Sequence, residues 1–141
     1  ALPICTYIDD MYDYLRNGDI ESFMELLKSF LSSIPYDIGD RIKEREQHYQ
    51  TIIYVLLALL GVDVNGEVRT NKGRIDLSIE FDNAIYIIEI KMRGTVDDAI
   101  KQIDEKGYID MYKKSRKIMN KLAIIFDVRE RNITEWKLIK V

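Results

Sequence analysis

Residues 73–91 read GRIDLSIEFDNAIYIIEIK. Two segments of alternating apolar residues flank Asp82-Asn83, a composition that predicts two strands joined by a tight turn. Successive side chains on a strand point to opposite faces. Ile75, Leu77, Ile79 and Phe81 therefore share one face, and Asp76 falls on the other. In the second segment Ile85, Ile87, Glu89 and Lys91 share a face, with Tyr86, Ile88, Ile90 and Met92 opposite. Glu89 and Lys91 thus emerge from a strand whose other positions read as core. A carboxylate and an ammonium are costly there unless paired, solvated or bound to a metal.

The rest of the chain bounds what this hairpin belongs to. With 141 residues, 47% of them hydrophobic, it is long enough for one domain with a substantial core and a small appendage. The longest apolar run, Thr51 to Gly61, is well short of the roughly 18–20 residues needed to cross a bilayer. The start, ALPICTYIDD, has neither a basic segment nor a signal-peptide layout. It also lacks Met, so the chain reads as processed or as a fragment of something longer. Cys5 and His48 are the only cysteine and histidine, which excludes an internal disulfide and a zinc finger. A cytoplasmic location is the default expectation. Residues 1–67 carry 5 Lys/Arg against 12 Asp/Glu, and residues 68–141 carry 16 against 12. The overall acidity argues against a non-specific nucleic-acid coat, but the second half has the charge for a local basic surface.

Upstream, Ile4–Leu15 and Ile20–Ile34 read as helices split by Asn17-Gly18-Asp19, with Asp19 as N-cap of the second. Pro35–Asp40 reads as a linker. A long helix is expected over Arg41–Leu60, stopped by Gly61, with its last three turns buried on several sides. It places Glu46, Tyr49, Gln50 and Ile53 on adjacent turns. Val62–Thr70 reads as a strand containing Asn65-Gly66, followed by a turn at Asn71-Lys72-Gly73. Beyond the hairpin, Gly94 breaks the chain and Thr95 can cap a helix with Asp97 and Asp98 in its first turn. That helix continues to Gly107, which bends or breaks it before Tyr108, Met111 and Tyr112. The basic run Lys113-Lys114-Ser115-Arg116-Lys117 leads to a strand at Leu122–Phe126, and a last strand covers Ile133–Val141. The order helix, three strands, helix, two strands describes an α/β or α+β layout. A right-handed crossover would make the Glu89 strand and the Leu122 strand parallel.

Two readings of Asp76, Glu89 and Lys91 follow. In one they are ordinary charges on the outer face of a hairpin, with Glu89 and Lys91 as an ion pair. In the other, their position in mid-chain beside Ile85 and Ile87 sets them at one end of a buried sheet, where they need a common partner. A divalent metal answers for the carboxylates, because Mg²⁺ prefers oxygen ligands, and Lys91 would face a phosphate or a water. Glu67 fits a hairpin salt bridge. Arg74 fits either a phosphate contact or a salt bridge to Glu67 or Glu80. His48 reads as a partly exposed helix residue, and Lys113–Lys117 as a solvated helix end or a track for a DNA backbone.

These residues together resemble the PD-(D/E)xK nucleases, of the kind found C-terminal to AAA-ATPase-like domains in bacterial proteins. The resemblance rests on Glu46 with Tyr49-Gln50, Glu67, Gly73-Arg74-Ile75-Asp76, Glu89-Ile90-Lys91, and Gln102 followed by Gly107-Tyr108. Ile75 stands where the signature has Pro. Gln102 and Tyr108 are six apart, wider than the four-residue spacing of the recombination-nuclease branch. The resemblance implies a restriction-endonuclease-like core, a mixed sheet flanked by helices in the order αβββαββ. The helical extension (1–40) would precede the nuclease-like domain (41–141). It further implies Asp76, Glu89 and the Ile90 carbonyl as metal ligands, for Mg²⁺ with Mn²⁺ as substitute. Lys91 would align the attacking water, Glu46 would add a further metal or water contact, and Gln102 would orient the site or the DNA. Arg74, Lys113, Lys114, Arg116 and Lys117 are the candidate DNA contacts. The activity the resemblance implies is DNA phosphodiester hydrolysis by an endonuclease, with metal-activated water. The alternative is a catalytically silent nuclease-like fold that binds nucleic acid or serves as a scaffold for an ATPase-like domain.

Overall fold

The structure, a computed structural model, describes residues 3–35, 42–71, 73–107, 110 and 112–141. Its elements are α1 (Ile4–Asn17), α2 (Ile20–Ser32), α3 (Ile42–Asp63), β1 (Glu67–Asn71), β2 (Arg74–Glu80), β3 (Ala84–Lys91), α4 (Val96–Glu105), β4 (Ile118–Asp127) and β5 (Asn132–Lys140). The strands form one sheet in the order β1-β2-β3-β4-β5. All neighbours are antiparallel except β3 and β4, which are parallel across the α4 crossover. This is the mixed, helix-flanked sheet expected, with the expected order of elements.

The alternation in the 73–91 hairpin decides the two faces. One face carries Ile75, Leu77, Ile79, Tyr86, Ile88 and Ile90, joined by Leu122, Ile124 and Phe126, and packs against α1, α2 and α3 in one continuous core. Phe23, Leu27 and Leu31 of α2 and Met11 and Leu15 of α1 are buried in that same core. Each fully buried side chain of this kind contributes about 1.5–3 kcal/mol. Gly18 ends α1 in the left-handed conformation, and the Asp19 carboxylate accepts from the Ser22 N–H at 3.2 Å, as the spacing predicted. The second face is covered by α4, whose Ile103 meets Ile85, Ile87 and Met119 while Val96 and Ala99 meet Ala123 and Ile125.

Several boundaries differ from expectation. Helix α3 runs through Gly61 to Asp63, because an interior glycine costs only about 1 kcal/mol, and here it lets the chain pass closely. A Cβ on Gly61 would lie 3.4 Å from the Gly66 backbone. The turn away from the helix comes at Asn65, φ 57°, so Asn65-Gly66 connects α3 to β1 and is not a bulge inside a strand from Val62. The last turns of α3 are not enclosed either. Leu56, Leu57 and Leu60 are buried, whereas Tyr54, Val55, Leu59 and Val62 form an exposed apolar stripe, since only one side of the helix meets the sheet. β4 begins four residues earlier than expected, at Ile118. Helix α4 ends at Glu105, and Gly107 turns the chain with φ 69°. Arg41, most of the expected linker Pro35–Asp40, Lys72, Tyr108 and Met111 lie outside the described residues. No helix among the described residues is long and apolar enough to cross a membrane.

Candidate metal and phosphodiester site

Asp76 on β2 and Glu89 on β3 are direct cross-strand partners, so their side chains leave the same sheet face next to each other. Both are buried, Glu89 completely. They converge on one cation that the sequence reading missed. The Lys106 ammonium, at the C-cap of α4, bonds to Asp76 Oδ2 and lies 2.9 Å from Glu89 Oε2. The other carboxylate oxygen, Glu89 Oε1, is buried without a hydrogen-bond partner, and Arg74 Nη1 stands 3.9 Å from it. Burial pushes the Glu89 pKa above the usual carboxylate range and Asp76 adds to this, while Lys106 and Arg74 pull it back down. The ordinary-surface reading of the hairpin charges is thus overturned by burial, and Arg74 pairs with Glu89 instead of Glu67 or Glu80. Glu67 bonds to Arg69 at 2.6 Å.

Lys91 lies on the same strand face, two residues beyond Glu89, and is half-buried. It forms no hydrogen bond or ion pair with the described residues. Its stem runs along Gly94, where a Cβ would sit 3.3 Å from Lys91 Cε and 3.4 Å from Nζ. Gly94, with φ 106°, therefore gives the lysine its berth as well as turning the chain. The Glu89–Lys91 ion pair of the surface reading does not form, because Lys106 takes that carboxylate.

Glu46, Arg74, Lys91, Arg93 and Gln102 line one open cleft of about 470 Å³ beside the carboxylates. Glu46, from α3, is held by Arg93 at 2.8 Å. Gln102 arrives from α4, and its buried Oε1 has no partner. Gln50 fastens the rim, donating to the Asn71 and Arg74 carbonyls at 2.8 and 3.3 Å. His48 is half-buried on α3, edge-on to Tyr49. The structure thus brings Glu46, Arg74, Asp76, Glu89, Lys91 and Gln102 together.

Lys113–Lys117 is elsewhere. Ile118 pairs with Ala84, so the run enters at the opposite end of β3, seven residues or about 23 Å from Lys91. Lys113 bonds to Asp110 and Lys117 to Glu80, while Lys114 and Arg116 are exposed. A larger cleft of about 550 Å³, lined by Arg16, Asp63 and Asp82, also lies at that end and contains neither paired carboxylate.

Lys106 had a signal in the sequence. It stands four residues after Gln102, hence on the same helix face, immediately before Gly107. Among the described residues no three His, Cys, Asp or Glu side chains converge as a metal cluster. The donor set nevertheless fits a hard cation. Two carboxylates already share one cationic group, and a further buried oxygen, Glu89 Oε1, is unused.

A family profile described as PD-(D/E)XK nuclease superfamily matches residues 44–136. A relative described as "Uncharacterized protein in vnfD 5'region", from Azotobacter chroococcum mcd 1, is 31% identical over 127 residues. The match covers 87% of this chain and 25% of the relative, so the chain spans about a quarter of that protein's length. No solved structure matches. The extent of the profile match, together with the sheet order and the Asp76–Glu89 pairing, shows that this chain belongs to the PD-(D/E)XK nuclease superfamily.

Proposed function

We propose that this chain hydrolyses DNA phosphodiester bonds as a divalent-metal-dependent endonuclease, with Mg²⁺ as the ion and Mn²⁺ as its substitute. The observation that carries the reading is the buried, cross-strand Asp76–Glu89 pair with Lys91, unpaired among the described residues, on the same face. Asp76, Glu89 and the Ile90 carbonyl would hold the ion. A bound divalent ion supplies Lewis-acid polarisation of a phosphoryl oxygen and offsets charge on the leaving oxygen. Lys91, having no other partner among the described residues, is available to align the attacking water and to donate to a non-bridging phosphate oxygen. Arg74, at the mouth of the cleft, can contact the adjacent phosphate. Gln102 Oε1 can accept a hydrogen bond from the water or from a substrate hydroxyl, and Glu46 lies at the rim. An oxygen–phosphorus bond forms from water, the bond to the leaving oxygen breaks, and solvent exchanges the protons.

The test is nicking of supercoiled plasmid in Mg²⁺ or Mn²⁺. Wild type should nick, and Asp76→Asn, Glu89→Gln and Lys91→Ala should each lose at least about 100-fold, the usual scale for one electrostatic contact at the transition state. Equal activity in wild type and Lys91→Ala would sink the role given to Lys91. Metal binding without nicking would instead support the silent, nucleic-acid-binding alternative. An ATPase-like partner domain, Lys114 and Arg116 as outlying DNA contacts, and a cytoplasmic location belong to the same proposal.

A further inference from the structure

The cation that Asp76 and Glu89 share belongs to the protein itself. Three cationic side chains surround these carboxylates, and they are not equivalent. The Arg74 guanidinium stays 3.9 Å from Glu89, and Lys91 is directed along Gly94. Among the described residues only Lys106 reaches both carboxylates, and its side chain is four-fifths buried in doing so, with 20% exposed. Two buried carboxylates in contact repel each other and need a positive charge between them. An ammonium meets that need with charge +1 and hydrogen bonds. A divalent ion meets it with charge +2 and shorter contacts to the same oxygens.

We propose, on the reading of Asp76 and Glu89 as cation ligands, that Lys106 is a resident cation of this site, seated where the ion would bind, so that metal entry requires the ammonium to withdraw. The arrangement makes Lys106 a positioning residue that keeps the metal-free pair in register and sets the metal concentration at which the site loads. Its location suits withdrawal. Lys106 ends α4, and the next residue, Gly107, turns away with nothing within 4 Å of where its Cβ would be. The flexible four-carbon stem of lysine can therefore leave the carboxylates without disturbing the strands. An ammonium seated nine-tenths of the time leaves one-tenth of the sites competent, which weakens apparent metal affinity about tenfold.

Two measurements test this, both on metal-free protein titrated with Mn²⁺ alone. Calorimetry should show Lys106→Met binding Mn²⁺ about tenfold tighter than wild type, while Asp76→Asn loses the site. Amine-reactive labelling read by mass spectrometry should show Lys106 of the wild type gaining reactivity as Mn²⁺ is added, with the exposed Lys101 unchanged. Affinity in a folded Lys106→Met that equals or falls below wild type overturns the proposal, as does a Lys106 whose labelling stays flat through saturation. If Lys106→Met does not fold, the wild-type labelling decides alone. Absence of any Mn²⁺ site in wild type and in Lys106→Met overturns the metal-ligand reading as well. Binding that needs Asp76 but ignores Lys106 overturns only the present inference.

Discussion

Replacing Glu89 by Gln in the metal-free protein isolates what the site costs the fold. Glu89 is completely buried, and its Oε1 has no hydrogen-bond partner, a defect worth about 1–3 kcal/mol for a buried polar atom. Gln keeps the shape, and its carbonyl can still accept from Lys106 across the 2.9 Å contact. What is lost is the charge assistance of that bond, about 1 kcal/mol. Lys106 also retains Asp76. The direction of the Glu89 pKa decides which effect wins. It is raised, burial outweighing Lys106, so the folded protein disfavours the charged form and Gln should be the more stable. The gain is expected at pH 7.5, where each kcal/mol would raise Tm by about 3 °C for a chain of this size.

The pH dependence gives the same reasoning a second, independent handle. With the folded pKa above the unfolded value of about 4.3, the native state binds more protons between the two, so this group's contribution falls as pH rises. That contribution is fully present below the unfolded pKa and is lost as pH rises through the folded one. Gln has no such titration. Its advantage should therefore be present above the folded Glu89 pKa and vanish as the pH approaches 4. Urea denaturation in a chelator at a series of pH values measures both. A Glu89→Gln protein less stable than wild type at pH 7.5, or a difference that does not change with pH, would refute the claim that burial dominates at this carboxylate.

Three further outcomes follow from the geometry. Gln50→Ala removes the two bonds to the Asn71 and Arg74 carbonyls; it should cost about 1–2 kcal/mol in urea and speed amide exchange at the rim of the cleft. Leu60→Ala should cost about 2–5 kcal/mol, whereas Leu59→Lys, one residue away on the exposed stripe of α3, should stay within about 0.5 kcal/mol; similar losses would mean that the stripe is covered. Thr95→Ala removes the hydroxyl that accepts from the Asp98 N–H at 3.1 Å and should cost about 1 kcal/mol by thermal denaturation.

Much of this protein was legible in its residues because the signals are local. Period-two alternation over 73–91 determined which side chains share a sheet face, and with the Asp82-Asn83 turn it determined that Asp76 meets Glu89. Gly18, Asp19 and Thr95 marked helix boundaries through backbone conformation and capping, which act within a turn or two. The same locality explains the failures on α3. An all-round apolar pattern says that a helix can be buried but not which side the sheet will cover, and a lone Gly61 does not say whether a helix stops or is merely approached closely. Periodicity placed Lys91 on the face of Glu89, yet the partner of that carboxylate depended on competition. Lys106 lies 30 residues from Asp76 and 17 from Glu89, and only the parallel crossover of α4 brings its ammonium between them. Sequence by itself determined that two carboxylates would stand side by side on one sheet face. Tertiary structure decided which cation stands between them, because that choice rests on where a helix ends in space and not on any spacing along the chain.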